Sequence, residues 1–230
     1  MAFVTDYTCS SCGLELTDDG RVFIWDEDSN QVRDFLILMS TCHLLNGAKI
    51  SGNVNETYCR ECGRYLKVYS ITQSSQDISN PCEVIEKGIK KHIEEFGSEL
   101  ERLKEIRRKS QYSIEKEDNH YVVRIPEYES FYYSNYLFPH MTKDEVIEDA
   151  LNDFHEEIDE LIEVRERAYR RYLDSNYLVV DERDRPDGEF NPKEMVECPV
   201  CGSQISRYVG HEIPCPRCGG QLSGFGVCYD

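Results

Sequence analysis

Four Cys-x-x-Cys pairs limit what this chain can fold into more than any other feature of its sequence. They read Cys9-Ser10-Ser11-Cys12-Gly13, Cys59-Arg60-Glu61-Cys62-Gly63, Cys198-Pro199-Val200-Cys201-Gly202 and Cys215-Pro216-Arg217-Cys218-Gly219. A gap of two residues lets both sulfurs of one tight turn reach a single centre, and two such turns supply a closed tetrahedral set. The opening Met1-Ala2-Phe3-Val4-Thr5-Asp6 has neither a basic start nor an apolar run. That predicts a chain without a secretory leader, in a reducing cytoplasmic compartment where thiols bind metal rather than pair as disulfides.

Thirteen residues separate the last two pairs, enough for a short hairpin that folds one turn over the other. This predicts a site from Cys198, Cys201, Cys215 and Cys218. The glycine after each pair permits the tight turn, and backbone amides there can hydrogen-bond the sulfurs. On these residues the segment 196–230 resembles the zinc-ribbon class, which implies a three-stranded ribbon around a structural ion. Such ribbons serve transcription, translation, enzymes and adapters alike, so the resemblance implies no single function.

Forty-six residues lie between the first two pairs. Cys9, Cys12, Cys59 and Cys62 are expected to form the other site, within an elaborated ribbon over 1–78. Arg21–Trp25 and Tyr65–Ile71 are its expected strands, and Phe35–Met39 a further strand or helix. The knuckles at Cys9 and Cys198 also resemble those of rubredoxin, which implies iron and electron transfer as an alternative. A single site of that kind would require the chain ends to meet, and local pairing avoids the larger loop-closure cost. The expectation is therefore two zinc ions, with iron as the alternative. Each ion can contribute on the order of 10 kcal/mol to a unit poor in apolar residues.

Between the cysteine segments, apolar residues recur at helical spacing. One stripe runs Ile85, Ile89, Ile93, Phe96, Leu100, Leu103, Ile106, and a second runs Ile147, Leu151, Phe154, Ile158, Leu161, Arg165, Ala168, Tyr172. Asn80-Pro81 with Glu83, and Thr142 with Glu145, read as helix starts with capping boxes. The predicted fold is α+β: two small zinc-ribbon-like β units joined by a long antiparallel, coiled-coil-like helical hairpin over 79–175, with a connector over 176–195. Between the helices Tyr121–Ile125 reads as a short strand. An aromatic loop follows, with Tyr128, Phe131, Tyr132, Tyr133, Tyr136 and Phe138, and it reads equally as a cap packed over the end of the helical hairpin or as an exposed anchor surface.

The net charge is −18, and no segment is basic. Residues 1–80 carry 6 basic against 11 acidic side chains, and residues 196–230 carry 2 against 3. An acidic chain repels phosphates and anionic membranes, which weighs against nucleic-acid binding and membrane association. Lys67, Arg60 and Arg64 are the best candidates for a local basic groove. Cys42-His43 reads as packing, Cys82 as a helix-start residue, and Cys228 lacks a partner at metal spacing. His155 with Asp159 lacks the Glu-x-x-His pattern of a carboxylate metal site. The run Glu156, Glu157, Asp159, Glu160, Glu163 reads as a solvated helix face. No catalytic motif emerges, and closed four-thiolate sites leave no position for substrate. The expected role is a non-catalytic adapter or assembly factor, docking onto a larger protein complex through the aromatic cluster and the zinc units. A nucleic-acid-associated ribbon protein and a rubredoxin-like carrier are the alternatives.

Overall fold

A computed structural model describes residues 2–18, 21–35, 44–45, 47–138, 140–185, 194–210 and 213–229. Cys42, His43 and most of the apolar run Phe35–Met39 lie outside the described residues. The chain divides into two compact units: residues 1–93 with 171–230, and residues 94–170. The architecture is α+β, with four sheets and two long helices among the described residues.

In the first unit β1 (Ala2–Cys9) is the middle strand of a three-stranded antiparallel sheet, between β2 (Glu15–Asp18) and β13 (Leu222–Tyr229). A second sheet contains β3 (Val22–Asp26), β4 (Gln31–Phe35), β5 (Ile50–Cys59), β6 (Arg64–Ser74) and β10 (Ser175–Asp181), in the order β10-β6-β5-β3-β4. β10 runs parallel to β6, in register from Ser175↔Tyr65 to Asp181↔Ile71. A parallel pair needs a crossover connection, and here residues 75–174 provide it. β11 (Met195–Glu197) and β12 (Gln204–Ser206) form a separate hairpin.

The period-two alternation of β6 gives the large sheet two apolar faces. Tyr69 and Ile71 join Phe23, Ile50 and Val54 beneath α1 (Pro81–Lys109), which contributes Ile85 and Ile89. Leu66 and Val68 face the other way, onto Ile205, Val196, Leu178 and Val180. Burying each such side chain contributes about 1.5–3 kcal/mol. At Gly52, where the β5–β6 register shifts, an added Cβ would lie 1.8 Å from the Ser70 carbonyl oxygen, so no other residue fits.

Both helices start where the capping boxes predict. The Glu83 amide donates to Asn80 Oδ1 (3.4 Å), and Asn80 Nδ2 donates to the Glu83 carboxylate (3.1 Å). The Thr142 amide and hydroxyl both donate to Glu145, at 2.7 and 2.8 Å, ahead of α2 (Lys143–Leu173). In the second unit Phe96 stacks on Tyr169, Lys104 pairs with Glu166 and Arg107 with Asp159. Rising numbers on one helix meet falling numbers on the other, so these stretches run antiparallel. The buried α2 residues are Val146, Ala150, Phe154 and Ile158, one position earlier at the N-terminal end than the expected stripe through Ile147 and Leu151. A three-stranded meander, β7 (Ser113–Glu117), β8 (His120–Ile125) and β9 (Tyr128–Ser134), supplies the reason. Its Val123 packs on Val146 and Ala150. The aromatic segment 128–134, expected as a loop, is the edge strand β9 of this sheet.

The two terminal cysteine segments do not form separate heads. Residues 196–230 do not close a three-stranded ribbon, because β13 leaves β11 and β12 and pairs with β1 over eight residues. The N-terminal segment likewise splits between two sheets.

Candidate metal centres

The four knuckles share one backbone construction. In each, the amide after the second cysteine donates to the carbonyl of the first: Gly13 to Cys9, Gly63 to Cys59 and Gly202 to Cys198 at 2.9 Å, and Gly219 to Cys215 at 2.8 Å. All four glycines have φ between 66° and 75°. That is the left-handed region where a side chain is strained.

The knuckles meet in a crossed pattern. Cys9 and Cys12 gather with Cys215 and Cys218, while Cys59 and Cys62 gather with Cys198 and Cys201. The eight cysteines are the predicted ones, but the predicted division among them is corrected. Within each cluster all four sulfurs lie within 4.8 Å of one another. The shortest cross-knuckle separations are 3.5 Å (Cys9–Cys218) and 3.7 Å (Cys12–Cys215) in the outer cluster. In the inner cluster they are 3.6 Å for both Cys59–Cys201 and Cys62–Cys198. A disulfide needs about 2.05 Å. Four sulfurs tetrahedrally placed about 2.3 Å from one ion sit about 3.8 Å apart. The donor set and its spacing therefore fit a metal ion of that size.

Strand pairing brings the distant knuckles together. The β1–β13 ladder places Cys9 opposite Leu222, just beyond the last knuckle. Tyr7, Leu14, Leu16, Tyr58 and Leu222 bury the outer cluster's Cys9 and Cys215. The inner cluster sits where the β5–β6 turn meets the β11–β12 turn, with Cys59 and Cys198 buried among Leu66, Val68 and Ile205. A four-residue ion network fastens this hairpin to the large sheet. Arg207 reaches Glu182 (2.5 Å) and Glu194 (2.7 Å) and also donates to Ser70, and Arg185 grips the same two carboxylates.

Loop closure favours local pairing, but only by a few kcal/mol. Once the inner pair is joined, the outer pair closes an effective loop of only about 70 residues. The crossed arrangement then costs about 2–3 kcal/mol more than the local one. An eight-residue ladder and two buried clusters exceed that.

The electrostatics of the clusters call for a cation. Cys201 is lowered to about 6 by the Ser203 hydroxyl and amide. Burial pushes Cys9 up, but the amides of Ser11 and Cys12 outweigh it and bring it to about 6. The Gly220 amide pulls Cys218 down, yet the neighbouring Cys9 and Cys12 sulfurs leave it pushed up to about 12. Cys62 is raised by Cys201, burial and its other sulfur neighbours. Thiolates this close repel one another, and a bound cation removes that conflict by keeping every coordinating thiol deprotonated.

Three contacts around the clusters were not evident from spacing. The Ser203 hydroxyl lies 3.0 Å from Cys201 Sγ and 3.3 Å from Cys59 Sγ. Buried Asn176 directs its Nδ2 at Cys198 Sγ, 4.0 Å away. Gly220 lets the Ser11 side chain approach, since a Cβ there would lie 2.7 Å from Ser11 Oγ. The second glycine of Gly219-Gly220 was the one available signal.

The other singled-out residues have structural partners. Lys67 is buried, 3.7 Å from Asp34 and over the Tyr172 ring, so Lys67, Arg60 and Arg64 do not make a common basic groove. His155 Nε2 meets the Ser110 hydroxyl at 2.8 Å, and Asp159 binds Arg107. Burial pushes the Cys82 thiol up. Cys228 lies on β13. No described helix is long and apolar enough to cross a membrane. No protein-family model, curated protein or solved structure matches the chain.

Proposed function

We propose that this chain is a non-catalytic adapter or assembly factor of the cytoplasm, in which two zinc ions act as structural cross-links and which docks onto a larger protein assembly. The crossed pairing of the knuckles carries the reading. Each cluster supplies four sulfurs from two distant segments, so an ion there ties chain to chain and has no open position for a substrate. Ser203, Asn176 and the knuckle amides are the outer hydrogen bonds that orient such ligands. The test is elemental analysis and native mass spectrometry of the purified protein, then stepwise chelation followed by circular dichroism. Two zinc ions per chain, colourless, with loss of β structure on chelation, is the expected result. A fully folded protein that never holds metal, or one that turns over a substrate unaided, would sink the reading.

A second reading draws on the meeting of the chain ends. The outer cluster joins Cys9-Ser10-Ser11-Cys12-Gly13 to Cys215-Pro216-Arg217-Cys218-Gly219, while the Cys198 knuckle expected as its partner lies in the inner cluster; a rubredoxin-like iron centre needs two knuckles joined as these are. A red protein that bleaches reversibly on reduction would establish iron and electron transfer in place of zinc.

A further inference from the structure

The aromatic cluster of the second unit divides in the structure. Tyr128 and Phe131 turn inward onto Phe154, and Tyr133 packs at the edge of the same core. Tyr132 is 57% exposed, Tyr136 71%, Leu137 78% and Phe138 54%. These four side chains fall within seven residues and leave on the order of 400–500 Å² of apolar surface in water, the size of patch that commonly serves an interaction.

The turn that carries them is held in one shape. Asn135 is 1% exposed, and its side chain works in two directions. Its Oδ1 accepts from the Tyr121 amide at 2.6 Å, and its Nδ2 donates to the Phe138 carbonyl at 3.0 Å. The Phe138 amide donates back to the Asn135 carbonyl at 2.8 Å, and the Met141 amide to the Phe138 carbonyl at 3.2 Å. A buried amide thus fixes a turn whose outward side chains are large and apolar. Aromatic anchors held before binding lose little entropy when a partner covers them.

Charge says which partner fits. Residues 115–160 carry three Lys/Arg against fourteen Asp/Glu. Glu117 lies 3.9 Å from His120, whose ring meets Tyr136 edge-on at 5.6 Å. Burial, with the carboxylates of Asp149 and Asp153 close by, pushes the Tyr133 hydroxyl up. On the exposed side Glu117 stands by His120 and Tyr136, and Arg124, 5.6 Å over the Tyr132 ring, is held by Glu115 and Glu117 at 3.2 and 3.5 Å, so its charge is already matched. A second copy of the chain would bring the same acids against these carboxylates, and nucleic acid or an anionic lipid surface would be repelled.

We propose that the Asn135-held turn Tyr136–Phe138, together with Tyr132, is the docking site for a basic protein segment that inserts apolar side chains between flanking lysines or arginines. This rests on the adapter reading and gives it a surface and a partner chemistry. The probes are two synthetic sixteen-residue peptides with one leucine pattern, one filled with lysine and the other with glutamate, titrated into the full chain by fluorescence anisotropy. The lysine peptide is expected to bind and to weaken as salt rises, and the glutamate peptide to stay free. Tyr136→Ser with Phe138→Ser is expected to weaken binding at least tenfold with an unchanged circular dichroism spectrum. Glu115→Gln with Glu117→Gln is expected to weaken it about threefold and to flatten the salt dependence. The proposal is overturned by no binding of the lysine peptide at millimolar concentration, by binding that the serine variant leaves unchanged, or by equal binding of the glutamate peptide. A dimer in sedimentation that the serine variant dissolves, or turn-dependent binding to anionic vesicles, overturns it in favour of those occupants. Metal content separates this site from the adapter reading. A chain that binds the peptide through the turn but never holds metal loses the adapter reading and keeps the docking site, and a metal-holding chain whose turn variant binds unchanged loses only the docking site.

Discussion

Crossed and local pairing predict opposite zinc counts in two double variants. Cys12 and Cys218 belong to the outer cluster, and Cys62 to the inner one. Cys12→Ala should leave one ion per chain. Adding Cys218→Ala strikes the same centre, so the count stays at one. Adding Cys62→Ala instead strikes the other centre, and the count falls to zero. Local pairing would give zero for the first double variant and one for the second. The energetic side follows from loop length. The outer cluster joins residues 203 to 209 apart in sequence. With the inner centre closed, the effective loop is about 70 residues, and cross-linking it stabilises by about 4–5 kcal/mol. In the first unit that corresponds to a fall in Tm of about 10–20 °C. Native mass spectrometry gives the count. Hydrogen exchange of the β1 and β13 amides, fast in Cys12→Ala and protected in the parent, shows which strands open. A count of zero for Cys12→Ala/Cys218→Ala with one for Cys12→Ala/Cys62→Ala would refute the crossed arrangement outright.

Arg207→Met leaves Glu182 and Glu194 with only Arg185, and is expected to cost about 2–4 kcal/mol at pH 7 by chemical denaturation. The Arg207 hydrogen bonds hold Glu182 below its ordinary 4.5, and Arg185 and Arg207 hold Glu194 below it against the opposing effect of burial. The stabilisation is therefore complete above pH 4.5 and lost as pH falls through the lowered folded values, so the gap between parent and variant should narrow as pH falls below 4.5. A gap constant down to pH 3 contradicts this. Gly220→Val pushes a side chain onto Ser11 and Cys218, and chelator competition should show the outer centre alone weakened, by tenfold or more. Ser203→Ala removes the hydroxyl shared by Cys59 and Cys201, and should weaken the inner centre alone by about 10-fold.

Local chemistry was legible in the sequence, and long-range pairing was not. The eight clustered cysteines, the four knuckle glycines and both capping boxes are set by a few adjacent residues, and they stand where the spacing put them. So do β3, β6 and β8, and the alternation of β6 puts its apolar residues on two buried faces. The division of knuckles between clusters depends on which strand β13 joins, and Leu222–Tyr229 has no local feature that prefers β1 over β11. The shift from Ile147 to Val146 on α2 has the same origin. The helix turns to meet Val123, a residue more than twenty positions away. The aromatic cluster shows the limit most clearly. Composition singled out six residues, but only the β9 register separates Phe131 and Tyr128, which face the core, from Tyr132, which faces water.

Nesting has a consequence for the two centres that side-by-side sites would not share. The inner centre joins Cys62 to Cys198, 136 residues apart, inside the span closed by the outer one. Closing it shortens the outer loop from about 200 residues to about 70, worth about 1 kcal/mol of closure entropy, or about fivefold in affinity. Linkage makes the effect reciprocal, so an ion at the outer centre favours the inner one by the same factor. Sites paired locally would close separate loops, and loss of one would leave the other's affinity unchanged. The first ion should therefore be held less tightly than the second, and chelation should release the pair more steeply than two independent sites. That cooperativity comes from chain connectivity alone and needs no contact between the ions. It makes the chain's opening strand and closing strand depend on a clamp formed far inside the sequence.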